Sequence, residues 1–154
     1  MAIRDVVLYP NAVLREKCAD VVTFDADLEA LVADMYETMD SYNGIGLAAT
    51  QIGLSMRLLV VGYQKVRFPL INPEIISKAG ASRMDEGCLS LPDILVDVER
   101  AETVTVKAQN LKGETVEQTY SGLIATIVQH EMDHLDGKLI IDYGTPKPIP
   151  SEEE

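Results

Sequence analysis

From about Asp25 to Tyr42 apolar residues return at helical spacing, at Leu28, Leu31, Val32, Met35, Met39 and Tyr42. Acids stand in the first turn and Asn43-Gly44 follows as a stop, so the pattern predicts an amphipathic helix. The period then shortens. Arg57 to Tyr63 and Phe68 to Ile71 read as strands, while Thr103 to Lys107 and Glu114 to Tyr120 alternate around Asn110-Leu111-Lys112-Gly113 and predict a hairpin. From Gly122 to Leu135, with Gly137 as the stop, the chain is apolar on nearly every side apart from one His-Glu-Asp cluster. A helix of that kind belongs in the middle of a domain. Antiparallel strands packed around such a central helix make an α+β fold.

Length and charge narrow the picture. A chain of 154 residues has room for one compact domain, here expected over residues 1–143. Residues 144–154, Gly144-Thr145-Pro146-Lys147-Pro148-Ile149-Pro150 and then Ser151 with three glutamates, are expected to be an extended or disordered acidic tail. No apolar run approaches a bilayer span, and Met1 to Asp5 lacks the core of a signal peptide, which predicts a cytoplasmic protein. A net charge of −12 repels phosphate backbones and anionic lipid, so neither nucleic acid nor membrane is an expected partner. Cys18 and Cys88 are expected to stay reduced in that compartment.

The chain has only two histidines, and both fall in His130-Glu131-Met132-Asp133-His134. Residues four apart share a helix face, so the two imidazoles can aim at one point with Glu131 beside it. A catalytic site of this kind needs a third protein ligand and an open position for water. The metzincin continuation fails because Ile140 stands where its third histidine belongs. A downstream glutamate would have to come from Glu152, Glu153 or Glu154 in the proline-rich tail. Cys88, in Glu86-Gly87-Cys88-Leu89-Ser90-Leu91-Pro92, is the best candidate and Cys18 the weaker alternative. Two imidazoles and a thiolate suit zinc, cobalt, nickel or ferrous iron.

Three separated segments now coincide with one family: Gly44-Ile45-Gly46-Leu47-Ala48-Ala49-Thr50-Gln51, Glu86-Gly87-Cys88-Leu89-Ser90, and Gln129-His130-Glu131-Met132-Asp133-His134. In these motifs, and in the strand and helix layout from about Leu8 to Tyr143, the chain resembles peptide deformylase. The resemblance implies removal of the formyl group from the N-terminal formylmethionine of newly made proteins, with release of formate. It implies that Cys88, His130 and His134 hold one divalent metal ion, ferrous iron in the cell, and that Glu131 takes the proton of the attacking water and returns it to the leaving amine. It assigns the oxyanion contacts to the Gln51 amide and the Leu89 backbone N–H. Gly46 is expected to pair with the extended substrate, and Ile45, Met84, Leu123 and Ile127 to form the methionine slot. Glu86 and Asp133 are expected to orient the ligand loop or to pair with Arg100.

Two positions depart from the family pattern. Leu95 stands where many relatives carry arginine or tyrosine, and no basic C-terminal helix follows Tyr143. An acidic tail is repelled by RNA phosphates, so no stable ribosome docking is expected. Two other readings compete: a small metallopeptidase using the same ligands on internal peptide bonds, and a catalytically silent deformylase-like binding protein. An intact Gln51 and Glu131 argue against the second.

Overall fold

A computed structural model describes residues 2–149. Asp25 caps α1 (Ala26–Ser41) by accepting the Leu28 N–H at 3.1 Å, and the helix covers the stretch its apolar spacing predicts. Seven strands follow: β1 (Gly46–Ala48), β2 (Leu58–Tyr63), β3 (Val66–Ala79), β4 (Ser82–Cys88), β5 (Leu91–Arg100), β6 (Thr103–Gln109) and β7 (Thr115–Ser121). Then come α2 (Gly122–Leu135) and a short β8 (Lys147–Pro148).

The strands form two antiparallel sheets, one ordered β1-β2-β3-β6-β7 and one ordered β4-β5-β8. Side chains alternate across β2, and both of its faces are covered. Leu58 and Val60 join Leu28, Met35 and Met39 of α1, whereas Leu59 and Val61 join Ala125, Val128 and Leu135 of α2. The larger sheet is thus the middle of three layers, with a helix on each face. That is why Leu58-Leu59-Val60-Val61 is an unbroken apolar run and not an alternating one. A third cluster, built on Leu14, Leu91, Val96, Val98, Leu139 and Ile140, supports the smaller sheet.

The α+β class and the central position of α2 agree with the pattern of the sequence. Its end is set by chemistry the sequence displays. Gly137 takes φ 76°, its N–H donates to His134 O at 3.1 Å and the Lys138 N–H donates to Asp133 O at 2.9 Å, the paired bonds of a glycine helix stop. A Cβ on Gly137 would also lie 2.5 Å from Arg15 O.

Elsewhere the structure differs from the expectation. The strand expected over Phe68 to Ile71 runs on to Ala79, because β3 passes through Asn72-Pro73 by a shift of register instead of ending there. Asn72 adopts φ 51°, and its side chain accepts from Val21 N at 2.7 Å and donates to Val21 O at 2.8 Å, which fixes the kink. The β4–β5 hairpin was not expected from the alternation. In the tail, Lys147 and Pro148 pair with Leu95 and Ile94, while residues 150–154 lie outside the described residues. No helix among the described residues is long and apolar enough to cross a membrane.

Candidate metal centre

Two elements meet at the site. Helix α2 carries His130 and His134 on one face, and the end of β4 brings Cys88 to them. One donor atom from each of the three lies within 4.8 Å of the others, and Cys88 Sγ is 3.5 Å from His134 Nε2. Cys18, the alternative ligand, is buried in the core cluster behind α2 and does not join the group.

A neighbouring carboxylate orients His130. His130 Nδ1 is 2.9 Å from Glu86 Oε1, which leaves Nε2 facing the donor group. Glu86 in turn accepts from Arg100 Nε and Nη2, both at 2.8 Å, and Arg100 Nη1 donates to Asp133 Oδ2 at 2.7 Å. Tyr143 closes this network by donating its hydroxyl to Asp133 Oδ2 at 2.6 Å. Glu86 and Asp133 therefore both pair with Arg100, and Glu86 also orients His130.

Charges follow from these contacts. Burial works to raise the Glu86 carboxyl, but hydrogen bonds from Arg100 and His130 outweigh it and hold the group below the ordinary range. Burial, only partly opposed by His130, pushes the Glu131 carboxyl up to about 7. His134 is driven well down, by burial first and then by the charges of His130 and Arg100, so its ring stays neutral. His130 behaves oppositely: burial disfavours its charge, yet Glu131, Cys88 and Glu86 together push it well up. Glu86 meets the ring at Nδ1 and Glu131 faces it at Nε2.

This donor set fits a divalent cation. Glu131 Oε1 is buried without a protein hydrogen-bond partner, while Glu131 Oε2 lies 3.8 Å from His130 Nε2. An unpaired carboxylate oxygen costs free energy unless an ion or its water satisfies it. Three ligands of thiolate and imidazole type with a carboxylate beside them match a site that keeps one position open.

Gln51 faces the same point from the 3-10 turn Ala49–Ile52. Its Oε1 accepts the Ala48 N–H at 3.0 Å, which turns Nε2 toward Ser90 Oγ at 3.3 Å and Cys88 Sγ at 3.7 Å. Leu89 follows Cys88 in the turn between β4 and β5. A cavity of ≈ 630 Å³ opens over the group, and its walls include Gln51, Leu89, Ile45, Gly46, Met84, Leu123 and Ile127. Every residue expected at the site therefore borders it, apart from His134, which lies buried beneath.

Several lining residues were not expected. Thr126 sits one turn before His130 on α2, so its place was readable from helical spacing. Ser90, behind the lining, accepts from Gln51 Nε2 at 3.3 Å. Leu8, Pro92 and Ile149 also border the cavity, and Leu8 and Ile149 arrive from distant parts of the chain. A larger depression of ≈ 830 Å³ touches Arg57, Asp20 and Asp136, charges already paired with one another, and none of the three donors lines it.

The family model described as polypeptide deformylase matches residues 3–148. The chain is 49% identical over 147 residues to the peptide deformylase of Alkalilimnicola ehrlichii, covering 93% of this chain and 83% of that protein. It is 44% identical over 152 residues to that of Dictyoglomus thermophilum, covering 99% of each. Among solved structures, the peptide deformylase of Thermotoga maritima superposes with a TM-score of 0.91 at 40% identity, over 95% of this chain and all (100%) of that one. That of Legionella pneumophila gives 0.89 at 45% identity, over 94% and 87%.

The glycine of the first motif has a steric reason. A Cβ at Gly46 would lie 2.7 Å from Glu131 Oε2 and 2.9 Å from Ile127 Cγ2. Gly46→Ala is therefore expected to push the Glu131 carboxylate out of place. Hydrolytic turnover should fall about 100-fold, the scale of a misplacement near 1 Å, while metal content and Tm stay near those of the parent. Unchanged turnover in that variant contradicts the close packing of Gly46 on Glu131.

Proposed function

The chain belongs to the polypeptide deformylase family, and we propose that the residues around its metal centre divide the work of that reaction as follows. The activity is removal of the N-formyl group from the formylmethionine that begins newly made proteins, with formate as product. In class it is a metal-dependent amidase acting on a linear amide. The observation that carries the assignment of roles is the convergence of Cys88, His130, His134, Glu131 and Gln51 on one point at the floor of one cavity.

Cys88, His130 and His134 hold one divalent cation, ferrous iron in the cell, with zinc, nickel or cobalt able to take its place. When bound, the cation supplies a Lewis acid and lowers the pKa of a coordinated water. Glu131 lies beside His130 and has a carboxylate oxygen free of protein partners, so it takes the proton of the attacking water and delivers it to the departing amine. The Gln51 amide, held in place through Ala48 N–H, and the Leu89 backbone N–H stabilise the charge that grows on the formyl oxygen.

β1 lies at one edge of the larger sheet and β4 at one edge of the smaller. The substrate backbone runs extended along Gly46, and its methionine side chain enters the slot of Ile45, Met84, Leu123 and Ile127. A metallopeptidase working inside a chain is the less favoured reading, because the family named above acts on formylated N-termini.

The partners are formylmethionyl nascent peptides, met in the cytoplasm by diffusion. Lys147 is the only cation between Gly144 and Glu154, and its ammonium is paired with Asp85 at 2.8 Å. With a net charge of −12, the protein is repelled by ribosomal RNA.

Ligand and base variants are expected to part company. Cys88→Ala and His134→Ala should lose the metal, whereas Glu131→Ala should keep it and lose most turnover of a formyl-Met peptide. Elemental analysis beside formate release reads both. A full equivalent of tightly held metal in the first two, or near-normal kcat in the third, refutes the roles assigned. For the ribosome, co-sedimentation at about 150 mM salt should show no stable complex, and submicromolar binding under those conditions contradicts the diffusion reading.

A further inference from the structure

Residues 2–9 belong to no helix or strand, yet their main chain is held at regular intervals. The Ala2 N–H donates to Asp34 Oδ1 at 2.7 Å, the Arg4 N–H to Thr38 Oγ1 at 2.8 Å and the Val6 N–H to Tyr42 Oη at 3.3 Å. Asp34, Thr38 and Tyr42 fall four residues apart, so they form one row along α1 and its C-cap. The two repeats match, because two extended residues advance about 6.6 Å and four helical residues about 6 Å. Arg4 secures this end further, donating from Nε and Nη2 to Asp34 Oδ2 at 3.2 and 2.9 Å.

Beyond Val6 the segment leaves α1 and crosses to the metal centre. The Val7 N–H donates to Gln51 O at 2.7 Å, and the Tyr9 N–H donates to Ser90 O at 2.8 Å. Gln51 belongs to the 3-10 turn Ala49–Ile52, while Ser90 follows Leu89 in the turn between β4 and β5. Gln51 and Ser90 are both buried, and a buried carbonyl deprived of its donor costs free energy. Val6 packs on the cluster of α1 and β2, whereas Val7 packs on the cluster that supports the smaller sheet. One short strap thus bridges the two cores at the turns that carry Gln51 and Leu89.

We propose that Val7 and Tyr9 are positioning residues of the reaction: their N–H groups fix the backbones of Gln51 and of the Leu89-Ser90 turn relative to each other, so that the Gln51 amide and the Leu89 N–H face the formyl oxygen together. The inference rests on the oxyanion roles given to Gln51 and Leu89 above. Donors of this kind act through preorganisation, and two amides on one extended segment set how far apart their acceptors stand. The Gln51 side chain also touches Ser90 and Cys88, but that amide is the group that serves the substrate, so its backbone is held from outside.

Backbone esters, in which an oxygen replaces the N–H of one residue, test this in the zinc-loaded full chain. Esters at Val7 and at Tyr9 should each lower kcat for a formyl-Met peptide about tenfold, less than the loss of a whole oxyanion donor, with KM and metal content near those of the parent. An ester at Arg4 removes an N–H from the same strap and should leave kcat nearly unchanged. In the Gln51→Ala background the Val7 ester should lower kcat no further, since changes that act through one group do not add. Equal losses of kcat from all three esters, or a lower Tm with kcat unchanged, overturn the proposal. In the unmodified protein the Val7 and Tyr9 amides should resist hydrogen exchange, and exchange at the rate of an unstructured peptide overturns it even where an ester chain does not fold. Near-normal kcat in Gln51→Ala itself refutes the role of Gln51, whereas a large loss there beside unaffected esters refutes the strap alone.

Discussion

The buried guanidinium of Arg100 ties together the two parts of the molecule that make the site. It lies on β5, grips Glu86 of β4 through two hydrogen bonds and Asp133 of α2 through a third. Glu86 then reaches His130. One chain of contacts thus joins the strand that carries Cys88 to the helix that carries both histidines. Arg100 and Glu86 are each less than a tenth exposed. Breaking a buried pair by removing one member costs about 3–5 kcal/mol, since the other charge is left without compensation. Ligand geometry and local stability therefore rest on the same atoms.

The rest of the fold serves this junction. The larger sheet, covered by a helix on each face, packs against α2 and sets β1 at its edge with Gly46 against Glu131. The smaller sheet brings Cys88 and the turn that follows it. Neither sheet contains the site alone. The cavity forms along the seam between them, where β1 and β4 are sheet edges and where Leu8 and Ile149 also arrive.

Much of this was legible in the sequence. α2 occupies the residues its apolar pattern and Gly137 predict, and α1 lies within the stretch from about Asp25 to Tyr42 that its apolar spacing predicts. The three donors could be named because a chain with two histidines and two cysteines offers few ways to complete a metal site. The β4–β5 hairpin was not legible. Its charged positions look like a solvated loop until Arg83 meets Asp97 and Arg100 meets Glu86 across the strands. Nor could local periodicity place Leu8 and Ile149 at the cavity, since that depends on pairings between residues far apart in the chain. The kink at Asn72-Pro73 looked like the end of a strand because only the distant Val21 backbone shows why the strand continues.

Zinc affinity in Glu86→Gln tests the junction most directly. Glutamine keeps the size of the side chain and removes the charge that binds Arg100 and orients His130. The account predicts that the variant folds, retains Cys88, His130 and His134, and binds zinc about 10- to 100-fold more weakly in competition with a chelator. An affinity equal to that of the parent would contradict it, and would mean that the three ligands hold their geometry without the buried chain of Arg100, Glu86 and His130.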